Sequence, residues 1–234
     1  MIGYKIIKFD IIDSTNNYMK KHISSLEHGT MVIANEQTNG RGRFGNTWIS
    51  EPGNLFLSIL IKSQEFKDNI FDLHIKTSVV ILKLLQVYNI SAKIKYPNDI
   101  LVHNKKISGI LVEKIIYESE TSIILGIGIN VNQVDFCDLK YKATSIKIET
   151  NKFVDLDHLV TDFITIFNQK TSIDNLYKEY LDHSLLLDKI VEYKNKKYII
   201  KTIKKDGQIV LKNKEETLVI DYDRLSLSHL YANL

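Results

Sequence analysis

A chain of 234 residues, 44% of them apolar, carries enough hydrophobic material for one sizeable domain plus a small appendage, and this ordinary composition excludes a disordered protein. Thirty-one basic against 28 acidic residues leave a formal charge of +3, too slight to imply a nucleic-acid partner; the basic cluster near the C-terminus reads as a solvated surface. Apolar runs such as "SVVIL" are far shorter than a membrane span, no signal-peptide pattern opens the chain, and a single cysteine, Cys137, rules out an intramolecular disulfide or a Cys-based zinc site, so a soluble cytoplasmic protein is expected.

In chain order, "YKIIKFDII" reads as a strand and "DSTNNYMKKHI" as a short helix with Asp13, Ser14 and Thr15 as candidate caps. "TMVIANE" is a second strand. It leads into the glycine-rich "NGRGRFGNTW", and "NLFLSILI" leaves that loop as a third. The spacing Gly40-x-Gly42-x-x-Gly45 matches a dinucleotide fingerprint, but that fingerprint needs a helix opening at its last glycine. Here Gly45 is followed by the breakers Pro52 and Gly53 and then by strand, so the dinucleotide reading fails; a kinase reading fails too, since no "HRD" or "DFG" follows.

From Asp68 to Asn89 the apolar residues recur at helical spacing and predict a long core helix. Strands follow in "AKIKYP", "DILVH", "KISGILVEKIIY" and "TSIILGIGINVN", joined by the turns "NKK" and "ESE", a mostly antiparallel meander. Helices are expected in "DLDHLVTDFITIFNQ" and "SIDNLYKEYLDH". Beyond them, short β-rich runs split by "KNK", "KDGQ" and "NKEE" suggest a small appended barrel or sheet. The organisation expected is α+β, with domains at 1–184 and 185–234.

Gly40, Gly42, Gly45, Gly53, Gly109, Gly126 and Gly128 fall at or within these strands and their loops. Glycine there weakens a sheet, so its use points either to bulges and bends or to close approach by a ligand or another backbone. Arg41 and Arg43 offer forked donors for a phosphate or carboxylate. Trp48 is either a core residue, the reading favoured on this ground alone, or a stacking surface for an aromatic ring. The Asn98-Asp99 pair follows a proline-terminated strand and is read either as a turn or as groups presented at a sheet edge; Lys106 and Asn130 stand at strand ends. The scattered histidines offer no metal pair, so any magnesium is expected to arrive with a phosphate substrate.

In this order, "DSTN", "EQTNGRGRFGNTW", "KYPNDI", "KISGILVE" and "GIGINVN" resemble the biotin–protein ligase family across residues 13 to 132. The resemblance implies a class II aminoacyl-tRNA synthetase-like catalytic domain with a mixed sheet, followed by a small SH3-like domain. It implies activation of biotin with ATP to biotinyl-5′-AMP, releasing pyrophosphate, then transfer to a lysine of a biotin carboxyl carrier protein domain. Carried over residue by residue, Ser14, Thr15, Asn16 and Gln37 meet the ureido head of biotin. Arg41, Gly42, Arg43, Lys106 and Gly109 surround the rest of it, Arg43 and Lys106 forming a two-sided anion clamp. Trp48, Asn98, Asn130, Gly126 and Gly128 hold the adenylate, and Asp99 orients the incoming lysine or accepts its proton.

Tyr96 departs from the family's usual tryptophan in "KYPND" but keeps an aromatic wall. "DSTN" begins at residue 13, leaving no room for the N-terminal winged-helix domain of some members, so a ligase without DNA binding is expected, as a monomer or a homodimer. The rivals are a lipoate or octanoate ligase or transferase, for which Cys137 is poorly placed as a nucleophile, and a noncatalytic binding module, which should lack Lys106 or Arg43.

Overall fold

A computed structural model describes residues 1–62, 66, 68–118, 120–136 and 142–221; Cys137 and the last part of the expected second domain, 222–234, lie outside the described residues. Seven strands form the first sheet: β1 (Ile6–Ile12), β2 (Met31–Gln37), β3 (Leu55–Ile61), β4 (Lys93–Lys95), β5 (Asp99–Val102), β6 (Lys105–Tyr117) and β7 (Glu120–Ile129). Their spatial order is β1-β2-β3-β7-β6-β5-β4. Every pair is antiparallel except β1–β2, whose connection, residues 13–30, carries helix α1 (Thr15–Lys21) and returns the chain in the same direction.

The sheet is covered on both faces, which is why β3 is buried along its whole length and is apolar at every position but Ser58. On one face, Leu55, Leu57 and Ile59 of β3 and Ile123, Leu125 and Ile127 of β7 join the large core with α2 (Ile70–Val87), α4 (Leu156–Phe167) and α5 (Ile173–Asp182), the short α3 (Ile146–Thr150) lying between β7 and α4 in sequence. On the other face a smaller cluster of Met19, Ile23, Leu26, Val32, Leu60 and Ile124 seats α1. The period of two then puts Ser58, Gly126 and Gly128 on the α1 side. Ser14 opens α1 by accepting from the Asn17 N–H, and Asn69 opens α2 by accepting from Phe71 N–H.

A second, four-stranded antiparallel sheet contains β8 (Ile190–Tyr193), β9 (Lys196–Ile203), β10 (Ile209–Lys212) and β11 (Thr217–Ile220), ordered β11-β10-β9-β8. Leu185 N–H still donates to Ile94 of β4, whereas Asp188 N–H donates to Ile200 of β9, so the passage between the sheets lies between these residues. The end of β9 and the β9–β10 turn dock on the residues around the first sheet: the Tyr96 hydroxyl donates to Gly207 O at 2.5 Å, the Tyr177 hydroxyl to Ile203 O at 2.5 Å and the Asn69 amide to Lys205 O at 2.9 Å. Among the described residues no helix is long and apolar enough to cross a membrane.

Candidate active site

On the α1 face of the sheet a cleft of about 890 Å³ is lined by residues from α1, the ends of β2 and β5, the glycine-rich loop and the middle of β3, β6 and β7. It gathers Ser14, Thr15, Asn16, Gln37, Arg41, Gly42, Arg43, Trp48, Asn98, Asp99, Lys106, Gly109, Gly126 and Gly128, residues far apart in sequence. Asn130 is not among its lining residues. Its amide is buried and donates to the backbone oxygens of Lys106 and Thr144, tying the start of β6 to the segment before α3.

One end of the cleft is a polar floor. Gln37 Oε1 accepts from Thr15 N–H at 2.8 Å and from the Thr15 hydroxyl at 3.1 Å, while its amide nitrogen donates to Ser50. The buried Ser58 hydroxyl stands 2.7 Å from Thr15 Oγ1 and 2.5 Å from Asn16 Oδ1. Asn16 is oriented by its other end, since Nδ2 donates to Glu113 Oε2 at 2.8 Å. Two hydroxyl protons, of Thr15 and Ser58, therefore serve three contacts, and the acceptor sites outnumber the protons.

The glycine-rich loop is a tight hairpin. Gly42 N–H donates to Asn46 O at 2.7 Å, Trp48 N–H to Gly40 O at 2.9 Å, and a 3₁₀ turn spans Arg43–Gly45 with Gly45 at φ +77°. This geometry lays the Trp48 indole across the sheet. Gly109 and Gly128, paired directly across β6 and β7, form its seat: a Cβ would come within 2.6 Å of the indole from Gly109 and 2.5 Å from Gly128. A Cβ on Gly126 would meet Asn16 Oδ1 at 2.4 Å. The close approach inferred from these glycines is thus made in this structure by two of the chain's own side chains, not by a second backbone. The indole Nε1–H is buried and has no hydrogen-bond partner among the described residues.

The opposite end is cationic: Arg43, Lys95, Lys106 and Lys142 line it with one carboxylate, Asp99. Arg43 Nη1 donates to Asn98 Oδ1 at 3.0 Å, Asn98 Nδ2 to Asp99 Oδ1 at 3.2 Å, and Lys106 Nζ stands 2.8 Å from that same oxygen. Lys106 also lies 4.9 Å from the Trp48 ring centroid, a cation–π distance. Arg41 turns the other way, toward Asn17 and Glu113. An excess of fixed positive charge in a partly enclosed cleft suits an oxyanion whose charge grows during reaction.

Two titratable groups are displaced from their ordinary range. Burial, reinforced by the charge of Arg43, pushes His74 of α2 down to about 4, so it is neutral near pH 7. Burial alone would raise the Glu113 carboxyl, but hydrogen bonds from Lys20 and Asn16 and the charges of Lys20 and Arg41 outweigh it and hold the group low. Among the described residues no cluster of three His, Cys, Asp or Glu stands ready to hold a metal ion. Sequence reading passed over Ser58, Glu113, Lys95 and Lys142. Ser58 had a signal, being the lone polar residue inside an apolar strand.

Comparison with known proteins places these features in a family context. The profile of the biotin/lipoate A/B protein ligase family matches residues 8–130. The chain is 32% identical over 190 residues to the bifunctional ligase/repressor BirA of Bacillus spizizenii, covering 78% of this chain and 57% of that protein. It is 33% identical over 132 residues to the Escherichia coli bifunctional ligase/repressor BirA, covering 55% of this chain and 41% of that one. It thus spans about half the length of these relatives. Among solved structures, the biotin protein ligase from Aquifex aeolicus in complex with biotin and ATP superposes with a TM-score of 0.80 at 26% identity, covering 96% of this chain and 98% of that one.

Proposed function

The chain belongs to the biotin/lipoate A/B protein ligase family, and we propose that it is a biotin–protein ligase that joins biotin to ATP and passes the biotinyl group to a lysine of a carrier domain. The observation that carries this reading is the pairing, in one cleft, of a proton-poor polar floor with a cationic far end. A bicyclic urea brings two N–H donors and one carbonyl, which suit Ser14, Thr15, Asn16 and Gln37. Its valeryl carboxylate then reaches toward Arg43 and Lys106. The dithiolane of lipoate has no N–H and would leave the floor unsatisfied, at a cost of about 1–3 kcal/mol per buried group.

The chemistry follows from the charges. In the first step the biotin carboxylate attacks the α-phosphorus of ATP and pyrophosphate leaves. Arg43 and Lys106, joined through Asn98 and Asp99, bring two positive charges to the position where negative charge builds, and Trp48 offers adenine an aromatic face. Magnesium enters with the triphosphate, because Asp99 is the one carboxylate among the cleft-lining residues and already holds Lys106. In the second step the carrier amine attacks the acyl carbon and AMP leaves. Asp99 orients this amine or takes its proton once Lys106 has turned to the phosphate. Asn98 positions Arg43, and Asn130 acts on the nucleotide side through the backbone it braces. The partner is a biotin carboxyl carrier protein domain, and the catalytic and C-terminal domains divide at 1–184 and 185–234.

The test is incubation with ATP, Mg²⁺, labelled biotin and a biotin carrier domain. Label is expected on the carrier, and Lys106→Ala should reduce it at least about a hundredfold, the loss expected for a transition-state charge contact. An unlabelled carrier beside a lipoyl domain that accepts lipoate would overturn the assignment.

A further inference from the structure

Glu113 does not line the cleft, yet it joins three elements around it. From β6 its Oε2 accepts from Asn16 of α1 at 2.8 Å, and its Oε1 faces Lys20 of α1 at 2.7 Å and Arg41 of the glycine-rich loop at 3.2 Å. The Arg41 fork is completed by Nη1 donating to Asn17 at 3.1 Å. The Glu113 side chain is only 18% exposed, whereas Arg41 is 37% exposed, so the pair joins a fixed, shielded anion to a cation on the loop.

We propose that Glu113 is a positioning residue: a latch that holds the glycine-rich loop against α1 and fixes the direction of the Asn16 amide. The second task follows from hydrogen-bond polarity. With Nδ2 committed to the carboxylate, Asn16 presents Oδ1 to Ser58 and to the cleft floor. A neutral amide at position 113 has one acceptor oxygen for three donors and brings two N–H groups of its own, which face Lys20, Arg41 or Asn16 unfavourably. The carboxylate is held low by these same donors, so it is ionised across the neutral range and the latch is set. This inference deepens the biotin assignment and rests on it for the ligand. The latch itself is a property of the loop.

The experiment separates the two. Glu113→Gln is expected to speed trypsin cleavage at Arg41 and Arg43, without any ligand, by about tenfold, the scale of a lost charge-assisted hydrogen bond. It should weaken equilibrium biotin binding by a similar factor and change the KM for ATP by less than about twofold. Glu113→Asp, which keeps the charge, should recover part of both. Arg41→Met should accelerate cleavage after Arg43, and the double variant should cleave no faster than the quicker single one. Cleavage like the wild type in both single variants overturns the latch. So does parallel weakening of biotin and ATP with a lower melting temperature, the signature of general destabilisation. A wild-type protein that binds no biotin overturns the biotin assignment alone, because the cleavage comparison still decides the latch.

Discussion

Gly128→Ala drives a wedge under the only tryptophan of the chain. The added Cβ would stand 2.5, 2.6 and 2.8 Å from Cε2, Cζ2 and Nε1 of Trp48, and these are its three nearest atoms. Carbon contacts relax near 3.5–4.0 Å, so the indole must retreat by about 1 Å. Gly128 does not have positive φ, so the backbone accepts alanine and the cost falls on the indole. Overpacking of this kind costs about 1–3 kcal/mol, and the Lys106 contact at 4.9 Å, worth about 0.5–1 kcal/mol, is strained as well. Because Trp48 is the only tryptophan, fluorescence excited at the red edge, where the 12 tyrosines do not absorb, reads the displacement directly. A red-shifted spectrum is expected, with a melting temperature lower by roughly 2–12 °C and a KM for ATP raised more than that for biotin. Adding Trp48→Ala to the variant should remove most of the alanine's cost. Wild-type emission and melting in Gly128→Ala would refute the seat.

Three further outcomes follow. Ser58→Ala leaves buried Asn16 Oδ1 without its donor, so stability should fall by about 1–2 kcal/mol and biotin binding by about tenfold; calorimetry showing unchanged affinity would separate the floor from the ligand. His74 takes up its proton near pH 4 in the fold but near 6.5 when unfolded. Its stabilising contribution is thus complete above pH 6.5 and declines by about 3 kcal/mol as pH drops to 4; His74→Leu should flatten urea stability over that window, and an unchanged slope would exclude this histidine as the source. Tyr96→Phe removes the hydroxyl bond to Gly207 and should cost about 1 kcal/mol while exposing Lys204 and Lys205 to trypsin; cleavage like the wild type would show that the tie does not hold the turn.

Much of the fold was legible because its periodicities are strong. The loop "NGRGRFGNTW" joins two strands as read, and the meander after the long helix reproduces its expected order. The parallel β1–β2 pair was not legible from periodicity, since strand direction depends on where α1 packs rather than on either strand's residues. The five-residue α3 carries too few turns to show a period. At the site, residues that announce chemistry by type and spacing, such as Arg43 and Lys106, could be picked out and do line the cleft, whereas Ser58 and Glu113 make contacts with residues 42 to 97 positions away. Gly109 and Gly128 marked a close approach correctly, but not what approaches, because one tryptophan's path across the sheet is set by the hairpin that carries it.

The most direct test of the central claim is exchange of labelled pyrophosphate into ATP, which reports adenylate formation without any carrier. Exchange is expected only when biotin and Mg²⁺ are both present, with loss of at least about a hundredfold in Lys106→Ala. Exchange that proceeds without biotin, or that lipoate supports in its place, would contradict it.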